Sequence, residues 1–420
     1  MSLLTVLVPR TGGQGGGDND LPEWVDTPDV AWEDLDVAGV RGMRATGSFW
    51  TVKQRQGCSL HEISYRACFK PQLPRYFIER LTQQGDAVYD PFSGRGTTGI
   101  EAGLLGRCVI LNDANPLGAI LARARFFVPD LGDLERRLRS IAFSKSRRAD
   151  RDLSMFYHPQ TESEIVGLKT YLEERQKSGE DDALDHWIRM VATNRLTGHS
   201  KGFFSVYSLP PNQAASPQSQ RKINARLNQT PEPRDVVKII LKKSKSLISD
   251  VTQEDAKELR TAGSSALFLC EDARRTAEIP DGTVQLVVTS PPFLDIVQYA
   301  QDNWLRFWFN GINAEETGKR LTMHRKLDDW SNAMSEVFRE LYRVVRPQGW
   351  VAFEVGEVSG GNIKLDEAVV PLGIKAGFHF AGILINQQIF TKTSNIWGVS
   401  NNGKGTNTNR IVMFQKKELS

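Results

Sequence analysis

Two short runs of this 420-residue sequence hold residue types whose order suits chemistry. The first is Asp90-Pro91-Phe92-Ser93-Gly94-Arg95-Gly96-Thr97-Thr98-Gly99. Its glycines let backbone pass close to a ligand, and a helix opening there offers free N–H groups. Gly94, Gly96 and Gly99 fit G-x-G-x-x-G, so a dinucleotide site is a rival reading. The second run is Thr289-Ser290-Pro291-Pro292-Phe293, which prolongs a buried apolar stretch. Its prolines remove two N–H donors and fix the backbone, leaving carbonyl oxygens facing a cleft with Phe293 at the rim. Asp113 lies at the distance from the glycines where a carboxylate binds ribose hydroxyls. A third carboxylate, Asp272, ends another apolar run in CEDARR. Each of these acids has a plainer reading as a helix cap or a solvated strand end.

These residues need a scaffold, and the sequence predicts one by alternation. Short apolar runs at 87–89, 108–111, 266–270, 284–288, 350–355, 379–389 and 411–415 read as strands. Helical spacing appears at 73–82, 97–105, 116–127 and 327–345, the third of these opening on proline. Seven strands with intervening helices predict an α/β fold, a Rossmann-like doubly wound sheet with ligands at the carboxyl ends of its strands. Both motifs fall at such ends. Between 129 and 264 the rhythm breaks into a polar, largely helical insertion with a Pro/Gln/Ser/Asn-rich stretch at 209–230. The expected organisation is an N-terminal arm (1–45), a cofactor half (46–128), the insertion (129–264) and a catalytic half (265–420).

Composition narrows the class. Hydrophobic residues make up 40% and charged residues 25%, ordinary for a globular chain. No apolar run approaches the ~18 residues that span a bilayer, and the first residues lack the pattern of a signal peptide, so a cytoplasmic location is expected. Four scattered cysteines and six isolated histidines give no zinc signature, and no metal is expected. No cysteine follows a proline, which argues against attack on a cytosine ring carbon by a thiolate.

The two motifs together resemble those of the S-adenosylmethionine-dependent amino-methyltransferases of DNA, which methylate N4 of cytosine or N6 of adenine. The resemblance covers about two-thirds of the chain, with PQLPRYFIERLT resembling the helix before the glycine loop and ELYRVVRPQGWVAFEVG the late helix-turn-strand unit. It implies a methyltransferase sheet, S-adenosylmethionine as cofactor and duplex DNA as partner. It implies a cofactor site at Asp90, Phe92, Ser93, Gly94, Gly96, Thr97, Asp113 and Asp272. It places the target amine at Ser290, Pro291, Pro292 and Phe293. Serine at the head of the tetrapeptide points to N4-cytosine, with N6-adenine and an RNA amine as alternatives. In many family members the catalytic motif precedes the glycine motif; here the order is reversed. An aromatic amine is a poor nucleophile because its lone pair is delocalised. The Ser290 hydroxyl and a carbonyl near Pro291, by accepting its hydrogens, would favour a pyramidal nitrogen, so catalysis is positioning and electrostatics. Phe293 would stack on a base flipped out of the duplex.

The net charge of +3 hides an uneven distribution. Residues 199–246 carry nine Lys or Arg against two acids, while 24–37 are acidic. Basic residues contact phosphates, and Asn, Gln and Arg read base edges, which makes the insertion the expected target-recognition domain. Lys201, Arg221, Lys222 and Arg226 are the expected DNA contacts there, and Lys404 and Arg410 those of the Gly/Asn-rich loop 391–410, which also carries Trp397. A solvated basic helix face is the bland alternative. Phe69 and Lys70 are expected to flank the cofactor and Tyr299 to face the pocket. Three other functions remain open from the sequence: an RNA amino-methyltransferase, a nucleic-acid binding module with a vestigial cofactor fold, and a nicotinamide oxidoreductase.

Overall fold

A computed structural model describes residues 22–25, 30–50, 57–66, 68–143, 146–294, 299–321, 324, 326–358, 363–387 and 408–418. The chain opens with β1 (Ala31–Val37) and β2 (Val40–Gly47), then α1 (Gln72–Leu81), β3 (Ala87–Asp90), α2 (Thr97–Leu104), β4 (Cys108–Asn112) and α3 (Pro116–Arg123). Six helices follow: α4 (Leu131–Ser140), α5 (Pro159–Ser178), α6 (Ala183–Arg195), α7 (Pro217–Leu227), α8 (Val236–Leu247) and α9 (Gln253–Ser265). Next come β5 (Leu267–Leu269), β6 (Val284–Thr289), α10 (Tyr299–Asp302), α11 (Trp304–Asn310), α12 (Ala314–Arg320), α13 (Leu327–Val344) and β7 (Val345–Val355). The chain ends with β8 (Glu357–Val358), β9 (Ile363–Lys364), α14 (Leu365–Ala376), β10 (His379–Gln387) and β11 (Thr408–Gln415).

Nine strands form one sheet in the order β1-β2-β10-β11-β7-β6-β3-β4-β5. The seven expected strands are all present, and the additional two correct the reading of the N-terminal segment. The acidic stretch, expected as an arm, packs as an antiparallel hairpin joined to β10. It turns at Ala38 and Gly39, both with positive φ, the geometry that matches the twist of two-residue hairpins. The pairs β5–β4, β4–β3, β3–β6 and β6–β7 are parallel, whereas β11 runs antiparallel to β7 and β10. Chain order reverses direction across β3 and β6, the switch point at which doubly wound sheets open a crevice.

Burial on both faces explains the continuous apolar strands. Val88 of β3 and Leu286 and Val288 of β6 enter one core, with α1, α2 and helices of the insertion. Tyr89 and Val287 point to the other side, against α13 and α14. On α13 the spacing of Trp330, Met334, Val337, Phe338, Leu341 and Val344 draws one apolar stripe onto the sheet. The insertion does not stand apart, because Leu138, Leu168, Trp187 and Ile240 belong to the same core cluster as Val88 and Leu286.

Candidate active site

The glycine loop takes its shape from two contacts. Gly94 has φ +52 and its N–H donates to Asp113 Oδ2 at 2.7 Å. Gly96, at φ +78, is the N-cap of α2, and a Cβ there would lie 2.6 Å from Ala122 Cβ on α3. Glycine is required at Gly96 by both backbone and space. Beyond β4, Asn115 caps α3 by accepting from Leu117 N at 3.1 Å, with Pro116 in the first turn. Asp113 also accepts from Asn115 N at 2.8 Å. Burial pushes the Asp113 carboxyl up to about 6, opposed by the N–H groups of Asn115 and Gly94.

These turns open onto a cavity of about 1170 Å³, part of it continuous with solvent. It brings together Phe92, Ser93, Gly94, Thr97, Asp113, Asp272, Ser290, Pro292 and Phe293, with Phe69 in the wall. Asp90, Gly96 and Pro291 are not among its lining residues. Asp90 is 1% exposed and takes hydrogen bonds from Thr98 Oγ1 (2.7 Å), Thr289 Oγ1 (2.7 Å) and Phe92 N (3.1 Å). It fastens β3, α2 and β6 to one another behind the wall. Burial pushes its carboxyl to about 6, against those three hydrogen bonds. Asp272 is bound by Arg274, whose hydrogen bonds hold its carboxyl below the usual range and so keep it ionised. Lys70 is outside the lining, its ammonium pKa lowered by burial and by Arg95.

At the end of β6, Ser290 meets a residue the sequence reading passed over. Its side chain lies close enough to the carboxylate of Glu354 on β7 to hold the Glu354 pKa down, and Asn409 Nδ2 donates to that carboxylate at 2.8 Å. Glu354 is 9% exposed, and burial raises its pKa against the two hydrogen bonds. The signal was present: a lone charge in the otherwise apolar WVAFEV must be buried and must therefore have partners. Trp330, 2% exposed on α13, donates Nε1–H to the Pro292 carbonyl at 2.9 Å and sets the path of the prolines. The Phe293 ring lies where a Cβ on Gly356 would come within 2.9 Å, so glycine at that position makes room for it. Cys68 is in the cavity wall, yet burial raises its thiol pKa, the reverse of what a thiolate nucleophile needs.

Among the expected DNA contacts, Lys201, Lys222 and Arg226 are exposed. Arg221 pairs with Asp152 at 2.7 Å, both more than half exposed. Arg410 differs from expectation: its side chain is 13% exposed and bonds the fully buried Asp366 at 2.8 Å, so it ties β11 to α14 instead of facing outward. Lys404 and Trp397 lie outside the described residues, as does the side chain of Tyr299. Among the described residues no three His, Cys, Asp or Glu stand together as a metal site, and no helix is long and apolar enough to cross a membrane.

The donor set fits a cationic nucleoside: two carboxylates, apolar walls at Phe69 and Phe92, and a tight glycine turn. A doubly wound sheet with this cavity at its switch point defines a broad class, the α/β proteins that can hold a nucleoside-bearing cofactor there. Sequence comparison narrows it. Residues 24–117 match the family model described as DNA methylase. A type II methyltransferase of Geobacillus stearothermophilus is 25% identical over 282 residues, 61% of this chain and 54% of its own length. Another, from Streptococcus pneumoniae, is 45% identical over 58 residues, 13% of this chain and 22% of its own. The chain thus spans about half of the Geobacillus relative. A solved S-adenosylmethionine-dependent methyltransferase from Methanosarcina mazei covers 82% of this chain and 98% of its own at 10% identity and a TM-score of 0.32. By these matches the chain is similar to DNA methylases over residues 24–117 and to type II methyltransferases over longer and shorter stretches.

Proposed function

We propose that the protein transfers a methyl group from S-adenosylmethionine to the exocyclic N4 amine of cytosine in duplex DNA. The observation that carries this reading is the Ser290 hydroxyl at the cavity, backed by the buried carboxylate of Glu354. Phe92, Ser93, Gly94, Thr97, Asp113 and Asp272 would hold the cofactor, whose sulfonium supplies an electrophilic methyl group. Asp90 and Gly96 would act one step back, by shaping the loop. Ser290 accepts a hydrogen from the amine and directs the nitrogen lone pair away from the ring. As nitrogen becomes cationic, its proton passes to Ser290 Oγ while the Ser290 proton moves to Glu354. Phe293 and Pro292 would hold a base turned out of the duplex. Serine at position 290 supports cytosine over adenine through the family pattern alone. The insertion 129–264 would dock the DNA, and the type II relatives support a role in protecting host DNA from a restriction nuclease.

Methyl transfer from radiolabelled S-adenosylmethionine to duplex DNA tests this. The wild type should label DNA and not RNA. Ser290→Ala should lose about 100-fold or more in turnover, with S-adenosylhomocysteine affinity within about two-fold. Unchanged turnover in that variant would contradict the proposal.

A further inference from the structure

Helix α7 is held to the body in an unusual way. Of its side chains only Gln220 is fully buried. Gln220 Nε2 donates to the Tyr207 carbonyl at 2.9 Å and Asn224 Nδ2 to the Met155 carbonyl at 2.8 Å. Ser216 caps the N-terminus by accepting from Ser219 N. A polar helix this short is marginal alone, and here hydrogen bonds add to the contact of Ile223 with the core.

The opposite face has no such anchors. At about 100° per residue, Arg221, Ala225, Gln218, Lys222 and Arg226 fall within roughly 140° of one another. All five are exposed. Ala225, the smallest side chain of the face, lies between Arg221 and Gln218 in angle, so the backbone can approach a surface there while longer donors flank the contact. Gln218 to Arg226 spans about 12 Å along the axis, comparable to the width of a DNA major groove. Among the described residues Lys222 and Arg226 have no ion-pair partner, and Asp152, on Arg221, is the acid facing this helix. That exposed pair is worth little and yields to a phosphate. Leu227, the last residue of the helix, is 46% exposed, and Tyr207, whose carbonyl accepts from Gln220, is 43% exposed.

The residues that lead into α7 are fastened beside the cleft. Trp304 Nε1 donates to the Ala215 carbonyl at 3.0 Å, Ala214 N to the Asp302 carbonyl at 2.8 Å, and Arg306 to the Pro211 carbonyl. Gln213 Oε1 accepts from Arg66, a cavity-lining residue that also pairs with Asp302 at 2.5 Å. α7 is thereby joined both to the cofactor wall and to the helices that follow Phe293.

We propose that α7 is the base-reading helix, entering the major groove with Gln218 and Arg226 on base edges and Arg221 and Lys222 on phosphates. The inference rests on the reading of the cleft as a DNA amino-methyltransferase site.

The test is methylome sequencing of DNA from cells expressing the full chain, paired with total methyl incorporation and S-adenosylhomocysteine affinity in vitro. Gln218→Ala and Arg226→Ala should lower discrimination between the cognate site and single-base variants by roughly 10–100-fold, with cofactor affinity unchanged. Lys222→Ala should weaken all sites alike and flatten the salt dependence. Ala225→Leu should weaken duplex binding by filling the gap between Arg221 and Gln218 on the face. If Gln218→Ala and Arg226→Ala methylate the same sites with wild-type discrimination, or lose activity uniformly across sites, the base-reading role is overturned. If the wild type itself transfers no methyl group to DNA, the underlying reading fails instead.

Discussion

The hydroxyl of Thr289 donates to the Asp90 carboxylate at 2.7 Å, linking the residue before Ser290 to the residue that starts the glycine loop. The other oxygen of Asp90 takes the Thr98 hydroxyl. One buried acid therefore sets the distance between the cofactor side and the amine side of the cleft. Thr289→Val keeps shape but removes one of the two donors to Asp90 Oδ1, leaving the Phe92 N–H. It should cost about 1–3 kcal/mol in urea unfolding, with a fall in turnover larger than any change in cofactor affinity. Wild-type stability and turnover would show that Asp90 does not join the two halves.

The same acid gives stability a pH dependence. Its folded pKa, about 6, lies above the ordinary value of 3.8, so its contribution is fully present below about 4 and is lost as pH rises through 6. Asp90→Asn cannot ionise, and Thr98 can still donate, to the Val288 carbonyl 3.3 Å away. The stability of Asp90→Asn relative to wild type should therefore climb between pH 4 and 7, to at most about 3 kcal/mol. Parallel curves in chemical denaturation would rule out a raised Asp90 pKa.

Glu354 should control the acidic limb of turnover. Burial raises its pKa, so as pH falls it takes up a proton before an ordinary glutamate does and can no longer accept one from Ser290. The kcat profile should fall on the acid side at a pH above the usual glutamate range. Glu354→Gln should lower kcat and remove that limb, with KM little changed. An acid limb that survives in Glu354→Gln would assign the titration to another group.

Gly96→Ala meets both a positive φ and a Cβ 2.6 Å away. It should destabilise by about 1–3 kcal/mol and weaken S-adenosylhomocysteine binding as the loop shifts. Asp113→Ala frees the Gly94 and Asn115 N–H groups and should weaken cofactor binding by roughly 10-fold or more. Calorimetric titration measures both.

The sheet strands were legible because each is an apolar run bounded by turn residues, and α13 because its buried positions repeat at helical spacing. The cavity members Gly94, Asp113 and Ser290 were legible because motif spacing places them at strand ends. The N-terminal hairpin was not, since an acidic arm shows no strand pattern until β10, far along the chain, supplies its partner. Glu354 and Trp330 were missed for a related reason. Their roles arise from contacts to residues 64 and 38 positions away, which no local pattern encodes. Arg410 was misread because sequence shows a charge without showing that Asp366 is buried beneath it.

The central claim is methylation of an exocyclic amine held at Ser290. Mass spectrometry of nucleosides from duplex DNA treated with the protein and S-adenosylmethionine tests it most directly. The account predicts N4-methylcytosine, absent with Ser290→Ala. N6-methyladenine alone would overturn the cytosine assignment while keeping the amine mechanism, and 5-methylcytosine or no methylated nucleoside would contradict the account.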